Sequence, residues 1–192
     1  WSFQYSQNLG GGGSGTPVAG HRVSIQTTTR INKISGCINT ADQGGYGWGR
    51  IYPNTYLLSL YDQAKDTRYN ELFVHRFKYN DPTSPKYGEL IPLTQSSSYC
   101  ETLHFMSKKY FDQWTMADNP DRTTGFKDLI VYRLAETYLM AAEAYMRRDG
   151  GMSTDALRCY NKTWERAGND KFAGPLTQDI LLDEYARELN FE

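Results

Sequence analysis

The sequence has few cysteines and no long apolar run. Its 192 residues include three cysteines, Cys37, Cys100 and Cys159, which lie far apart. An odd number of widely spaced cysteines fits neither a disulfide framework nor a metal or redox motif. No apolar segment approaches the roughly 20 residues that cross a bilayer. The sequence therefore predicts neither a cysteine-based site nor a membrane-spanning helix.

The chain also lacks an excess of charge of either sign. Its 21 Lys and Arg residues against 22 Asp and Glu residues give a formal net charge of −1 and a pI near 6.4. Binding to nucleic acid or to an anionic membrane surface requires a concentrated positive charge. We therefore expect no nucleic-acid partner.

Catalytic and metal-binding patterns are missing as well. His21, His75 and His104 do not have the spacing of a zinc site, and no serine or cysteine stands in a nucleophile motif. Residues 10–15 match a bare G-x-G-x-x-G, but the "TPVAGHRVSIQ" that follows does not begin a helix, as a dinucleotide site requires. The sequence therefore predicts no enzyme activity, no cofactor and no metal.

The two ends are typical of a part of a longer protein. The chain begins without Met, inside the strand-like "WSFQYSQ" of residues 1–7, and it stops inside the helical pattern of "ELNFE". No charged-then-apolar signal region precedes the strand. We therefore expect that any targeting segment lies outside this sequence.

After about residue 126 the sequence is typical of helices. Apolar residues recur at spacings of three and four, which predicts one buried stripe: Leu134, Ala135, Tyr138, Leu139, Ala142, Tyr145 and Met146. Gly150 and Gly151 end this helix, Ser153 caps a second and Thr177 caps a third. Two helices joined by a tight glycine turn form a unit of about 34 residues, the size of a tetratricopeptide repeat.

Small and charged residues on these helices favour a structural role. Alanines at 135, 142 and 144 would let a neighbouring helix approach closely. Arg133–Glu136 and Glu143–Arg147 are spaced to pair along the helix, each for about 0.2–0.5 kcal/mol. Three carboxylates, Asp179, Asp183 and Glu184, could supply a pair for glycoside hydrolysis, but their place on a helix is explained by solvation and by the helix dipole. We therefore expect scaffold rather than catalysis.

The first 125 residues are rich in loops. "VSIQTTTRINKI" is predicted to be extended, residues 54–69 form a short helix with an apolar face, and residues 70–115 are irregular. The chain therefore divides into a loop-rich region over 1–125, expected to carry the ligand-binding face, and a helical repeat-like region over 126–192. We expect both to belong to a single domain.

Three C-terminal segments carry a family resemblance. "VYRLAETYLMAAEAYMR", "ALRCYNKTWERAG" and "LTQDILLDEYARELNFE" follow one another in the order and spacing of the SusD/RagB family, which they resemble. "WSFQYSQN" and "YPNTYLLSLYDQAKDTRY" are similar to earlier parts of that family. Two positions depart from its pattern, because Trp164 and Tyr185 stand where arginine is usual.

The resemblance implies a mostly α fold, built on tetratricopeptide-like helical repeats with loop-rich insertions and a few short strands. It implies cell-surface binding of oligosaccharides and their delivery to a SusC-like TonB-dependent outer-membrane transporter, without chemical change. The protein would be lipid-anchored in the outer membrane, with the anchor outside this sequence. Two alternatives stay open, namely capture of oligopeptides by the same architecture, and a structural scaffold whose ligand site lies elsewhere.

Candidate ligand-binding residues come from their chemistry alone. In "DQGGYGWGR", Tyr46 and Trp48 offer aromatic faces to sugar rings, while Asp42 and Arg50 offer hydrogen bonds to hydroxyl groups. Trp48 could equally be a buried anchor for its own loop. Trp114, in "YFDQWTMADNP", is a second aromatic that we predict to lie in a loop. These five residues form the predicted binding set.

Overall fold

The computed structural model describes residues 2–4, 20–93 and 101–192. Within them the chain is mostly helical with few short strands, which confirms the predicted fold class. The α-helices are α1 (Val23–Thr27), α2 (Thr55–Ser59), α3 (Thr67–Glu71), α4 (Gln113–Asp118), α5 (Leu134–Asp149), α6 (Thr154–Trp164) and α7 (Gln178–Leu189). The strands are β1 (Ser2–Phe3), β2 (Phe73–Val74), β3 (Phe77–Lys78), β4 (Leu90–Ile91), β5 (Met106–Ser107) and β6 (Leu129–Ile130). The predicted strand at 1–7 is described only at β1, and the glycine run at 10–17 lies outside the described residues.

The chain forms two compact units. The helical unit contains Trp1–Ser2, Asn54–Glu71 and Ile130–Glu192, and the loop-rich unit contains Phe3–Pro53 and Leu72–Leu129. The sequence-based division at residue 125 depends on local pattern alone. Asn54–Glu71 belongs to the helical unit through long-range contacts, which a local pattern does not show. In the described part of the chain no helix has both the length and the apolarity to cross a membrane.

Helices α5 and α6 form a hairpin around the core of the helical unit. Ala135, Leu139 and Ala142 are buried as predicted. The prediction was wrong for Leu134, which is 65% exposed in the first position of α5, and for Ala144, which is exposed. Ala144 lies about 200° around the helix from Ala142, so both cannot face one neighbour. The core also contains Ala156, Cys159, Tyr160, Leu176 and Leu181.

The predicted helix ends are confirmed. Gly150 follows α5 with φ 87°, a conformation that favours glycine. The Ser153 side chain accepts a hydrogen bond from the Ala156 N–H, and the Thr177 side chain accepts one from the Ile180 N–H, at 3.5 and 3.3 Å. These caps satisfy donors that the first turns of α6 and α7 would otherwise leave unpaired.

Residues 54–69 form two short helices rather than the one predicted. Asn54 caps α2 by accepting a hydrogen bond from the Leu57 N–H at 2.8 Å. The helix stops at Ser59, and the Asp62 carboxylate then accepts a hydrogen bond from the Ala64 N–H at 3.0 Å. A side-chain turn of this kind competes with helical hydrogen bonding, which explains the break.

A buried ion-pair network joins α3 to α7. The Arg68 guanidinium contacts Asp66 at 2.7 Å, Glu184 at 2.9 Å and Glu188 at 2.8 Å, and all four side chains are at most 5% exposed. Arg187 pairs with Glu184 at 2.9 Å on α7 itself. Burying charges costs several kcal/mol per ion unless each is paired, so this network must be complete to be tolerated.

The same network extends to the start of α5. Arg133 donates to Glu188 at 2.6 Å and to Glu192 at 2.8 Å, and Arg166 also pairs with Glu188. The predicted Arg133–Glu136 pair was therefore wrong, because a buried carboxylate attracts a guanidinium more strongly than one screened by water. The predicted Glu143–Arg147 pair is confirmed, at 2.7 Å.

Three arginines stabilise the Glu188 carboxylate as an anion. Burial by itself would raise its pKa, but the hydrogen bond and charge of Arg133, with the charges of Arg166 and Arg68, lower the pKa from 4.5 to about 2. The carboxylate is therefore ionised in the fold at any pH above that value.

The loop-rich unit has its own small core of Ile31, Cys37, Phe77 and Met106. Two antiparallel pairs support it, β2 with β5 and β3 with β4. The segment predicted to be extended instead forms α1 and a 3-10 turn over Ile31–Lys33. The hydroxyl groups of Thr27 and Thr28 donate to the Ser24 carbonyl, at 3.0 and 2.8 Å. Burial and these hydrogen bonds override the strand preference of β-branched residues.

The glycines of "GGYGWGR" let this loop lie directly on the backbone of Thr28 and Thr29, which follow α1, and of Glu101. A Cβ on Gly47 would stand 2.3 Å from the carbonyl oxygens of Thr28 and Thr29, and a Cβ on Gly49 would stand 2.1 Å from the Glu101 carbonyl oxygen. The close approach that these glycines permit is therefore to the protein's own backbone.

Glu188→Gln should lower the free energy of unfolding by about 3–5 kcal/mol at pH 7, because it removes a buried carboxylate that the buried Arg68 and the half-buried Arg133 share. Since the folded pKa is below the unfolded one, the contribution of Glu188 is fully present above about pH 4.5 and is lost as the pH falls toward 2. Urea unfolding from pH 7 to pH 2.5 should show the two proteins converging in acid. The exposed Glu165→Gln is the control, with a change below about 0.5 kcal/mol. Equal stability of wild type and Glu188→Gln at pH 7 would contradict this account.

Gly47→Ala should cost about 1–3 kcal/mol of stability, because the methyl group has backbone rather than flexible side chain in its way. Gly174→Ala is the matched control, since its Cβ would meet only Phe172 at ordinary contact distance, 3.5 Å. Urea unfolding of both variants measures the difference, and an equally small effect at the two positions would argue against the tight loop.

Candidate functional site

The backbone of the loop around Trp48 is fixed by hydrogen bonds to α1. The N–H of Trp48 donates to the Ile25 carbonyl at 2.7 Å, and the N–H of Arg50 donates to the Gln26 carbonyl at 2.9 Å. The backbone positions of Trp48 and Arg50 are therefore fixed, although the sequence around them is rich in glycine.

Two arginines lie against the Trp48 ring. The guanidinium carbon of Arg50 is 4.7 Å from the ring centroid, and that of Arg22 is 5.7 Å from it. Trp48 is half-buried, while Arg22 and Arg50 are exposed. Cation–π attraction accounts for the arrangement. The predicted neighbours Trp48 and Arg50 do come together, and Arg22, which the sequence did not single out, joins them.

Other residues of the predicted set lie apart from this contact. The N–H of Tyr46 donates to the Pro120 carbonyl at 2.7 Å, and its side chain is half-buried. Gln43, beside Asp42, is buried and exchanges two hydrogen bonds with the backbone of Lys78, at 3.2 and 3.1 Å. The Gln43 amide is thus engaged structurally, whereas Asp42 is exposed.

Asp42 lines a pocket of about 410 Å³, which we call the Tyr87 pocket. Tyr79 and Tyr87 provide aromatic surface there, and Arg76 and Lys78 provide positive charge. Tyr87 is 61% exposed. The signal for this pocket in the sequence was weak, because Tyr87 belongs to the turn cluster "NDPTSPKYG", which predicts a loop and nothing about a cavity.

Trp114 lines a second pocket of about 430 Å³, the Trp114 pocket. Its ring is 90% exposed. Trp114 lies on α4, so its predicted loop position was wrong. Asp112 caps this helix by accepting hydrogen bonds from the Thr115 N–H at 3.2 Å and the Thr115 hydroxyl at 2.7 Å. The D-x-x-T pattern is the local signal for this helix start.

Asp112 also organises the wall of the Trp114 pocket. It accepts hydrogen bonds from the N–H groups of Phe126 and Lys127, at 2.7 and 3.2 Å. Burial by itself would raise the pKa of Asp112, but these bonds and those from Thr115 hold it below its ordinary value. Burial lowers the pKa of Lys127, an effect that the Asp112 charge opposes. The pocket therefore combines a fixed anion, two lysines (Lys108 and Lys127) and an open indole ring.

Two of the three carboxylates considered for hydrolysis on α7 have structural partners. Glu184 is buried between Arg68 and Arg187, and Asp183 accepts a hydrogen bond from the Tyr56 hydroxyl at 2.7 Å. Across residues 2–4, 20–93 and 101–192, no three His, Cys, Asp or Glu side chains converge so as to hold a metal ion. The absence of a cofactor stays a prediction.

Two solved structures resemble this chain in fold. A search of curated proteins gives no match. Surface glycan-binding protein A from Bacteroides uniformis superposes with a TM-score of 0.58 at 21% identity, over 88% of this chain and 32% of its own. A SusD superfamily protein from Parabacteroides distasonis ATCC 8503 superposes with a TM-score of 0.59 at 17% identity, over 97% of this chain and 35% of its own. The chain thus spans about a third of the length of either protein.

The sequence model of the SusD family matches residues 16–192. This range contains all three C-terminal segments that carry the resemblance, together with nearly all of the loop-rich unit. The helical fold of the two solved structures agrees with it. The chain therefore belongs to the SusD family.

Proposed function

We propose that this chain is part of a cell-surface protein that binds oligosaccharides and passes them to a TonB-dependent outer-membrane transporter without transforming them. Membership of the SusD family supports the proposal, and so does the fold shared with a protein named as a surface glycan-binding protein. The observation that carries it is the Trp114 ring, which is 90% exposed at the edge of a pocket.

Trp114 has the chemistry that sugar binding requires. An indole ring left in water is an unused apolar surface, and exposed apolar surface beside polar groups is typical of a binding site. The C–H face of a sugar ring can pack on the indole, while Gln113, Lys108 and Lys127 can hydrogen-bond to hydroxyl groups. Stacking and hydrogen bonding are thus available within one pocket.

The chemistry of this pocket favours binding over hydrolysis. Glycosidases use two carboxylates about 5–10 Å apart, one of them with a raised pKa. Asp112 is the carboxylate among the described residues that line the Trp114 pocket. Its pKa is held low, and four hydrogen bonds occupy its oxygens. Asp112 is therefore suited to hold the wall in place rather than to donate a proton.

The Tyr87 pocket, which Asp42 lines, is a second candidate site for sugar binding. Tyr79 and Tyr87 offer ring surface there, and Asp42 with Arg76 offers both hydrogen-bond acceptors and donors. We propose that it binds a further sugar unit. Attachment to the outer membrane by a lipid anchor and partnership with a SusC-like transporter rest on family membership.

Trp114→Ala should weaken the binding of an oligosaccharide by roughly thirtyfold, about 2 kcal/mol, because it removes an aromatic anchor of the contact. Isothermal titration of the whole protein against a broad panel of oligosaccharides identifies a binder, and the variant is then titrated with that binder. The unfolding curve should stay unchanged, since the exposed ring buries little surface.

Tyr132→Ala is the matched control, because Tyr132 is a 61% exposed aromatic residue of the helical unit. It should bind like wild type. Binding of short peptides but no oligosaccharide would replace the proposal by oligopeptide capture, and release of shorter products from a bound oligosaccharide would indicate a hydrolase. Binding of neither oligosaccharides nor peptides would favour a structural scaffold whose ligand site lies elsewhere.

A further inference from the structure

The two arginines at Trp48 have no acidic partner. Neither Arg22 nor Arg50 forms an ion pair with any residue that the structure describes, whereas Arg30, close by on the chain, pairs with Glu101 at 2.8 Å. The residues outside the described ranges include no Asp or Glu. No carboxylate of this chain therefore neutralises either guanidinium.

Trp48 holds both guanidinium groups without neutralising them. A cation–π contact orients an arginine but leaves its N–H donors available at the edge of the guanidinium plane. Each guanidinium keeps its full positive charge near the ring, so both attract an anionic ligand. Because the ring restricts both side chains beforehand, less conformational entropy is lost when such an anion binds.

The net charge of the loop-rich unit also favours an anionic ligand. The near-neutral total of the chain conceals an uneven distribution, since the loop-rich unit has eleven Lys and Arg residues against eight Asp and Glu residues, a net charge of +3. The Trp114 and Tyr87 pockets lie in this unit, and each is lined by two basic side chains. A positive potential raises the local concentration of anionic ligands.

We propose that Arg22 and Arg50, held against Trp48, bind carboxylate or sulfate groups of an acidic oligosaccharide. The proposal rests on the proposed function and names its ligand class. Planar guanidinium groups match carboxylate and sulfate oxygens with paired, charge-assisted hydrogen bonds. Trp48 then acts as the positioning residue for the two arginines.

The test compares acidic oligosaccharides with their neutral counterparts on the whole protein. Oligogalacturonides are titrated beside their carboxyl-reduced forms, and chondroitin sulfate oligosaccharides beside their desulfated forms, within a panel that also contains neutral oligosaccharides. We expect at least one acidic member to bind about tenfold or more tightly than its neutral form. The preference should shrink as NaCl is raised from about 50 to about 500 mM, because salt screens exposed charges. The two series separate carboxylate from sulfate.

Arg22→Gln and Arg50→Gln should each reduce the acidic-to-neutral affinity ratio about tenfold. Arg148→Gln is the matched control, because it removes the same charge from an arginine that lies 5.0 Å from the Tyr145 ring centroid but is paired with Asp149 at 2.6 Å. Its ratio should equal that of wild type. Since Arg22 and Arg50 are exposed, thermal unfolding of all three variants should match wild type.

Equal affinity for acidic and neutral forms would overturn the inference and leave oligosaccharide binding standing. A preference that survives in both Arg22→Gln and Arg50→Gln would overturn the assignment to these residues. Binding of acidic peptides through the two arginines, with no acidic oligosaccharide bound, would overturn the ligand class. Failure of every oligosaccharide in the panel to bind would overturn the proposed function as well.

Discussion

The helical unit depends on an ion-pair network that is buried at its centre and exposed at Arg166. Its arginines and carboxylates are equal in number: Arg68, Arg133, Arg166 and Arg187 with Asp66, Glu184, Glu188 and Glu192. Buried charges are tolerated only when each has a partner, so the network imposes one arrangement on α3, α7 and the start of α5. The "DEYAREL" pattern follows from this constraint. Glu184, Arg187 and Glu188 share one face at spacings of three and four, and Leu181, about one turn earlier on the same side, packs in the apolar core.

The two departures from the family pattern are consistent with this balance. An arginine in place of Trp164 would bring a further positive charge close to Arg187. The Trp164 ring instead accepts the Arg187 guanidinium at 4.9 Å from its centroid, stacks on Tyr160 and donates its N–H to the Asp170 carbonyl at 2.8 Å. Tyr185 packs on the apolar core of the unit rather than adding to the charges. An arginine at either position would need a further carboxylate as its partner, whereas the aromatic side chains at 164 and 185 need none.

How far the sequence predicts the structure depends on the distance between interacting residues. The caps at Ser153 and Thr177 and the buried positions Ala135, Leu139 and Ala142 of α5 were predicted correctly, since each follows from a local pattern. Arg133 was paired wrongly because its partner Glu188 is 55 positions away, and local spacing indicated only Glu136. The extended segment became α1 because tertiary burial outweighed a weak local preference. For the proposed binding surface, the sequence placed Trp48 and Arg50 together but gave no signal for Arg22.

The net charge of the whole chain is likewise a poor guide to the charge of a local surface. A net value of −1 for the whole chain is the sum of +3 in the loop-rich unit and −4 in the helical unit, where ten basic residues face fourteen acidic ones. The potential that a ligand experiences is set by nearby side chains, because charges farther away than about 10 Å are screened at ordinary ionic strength. A balanced total therefore says little about which ligands a surface attracts. What decides it is whether a charge already has a partner, and by that criterion Arg30 is committed to Glu101 while Arg22 and Arg50 are available to a ligand.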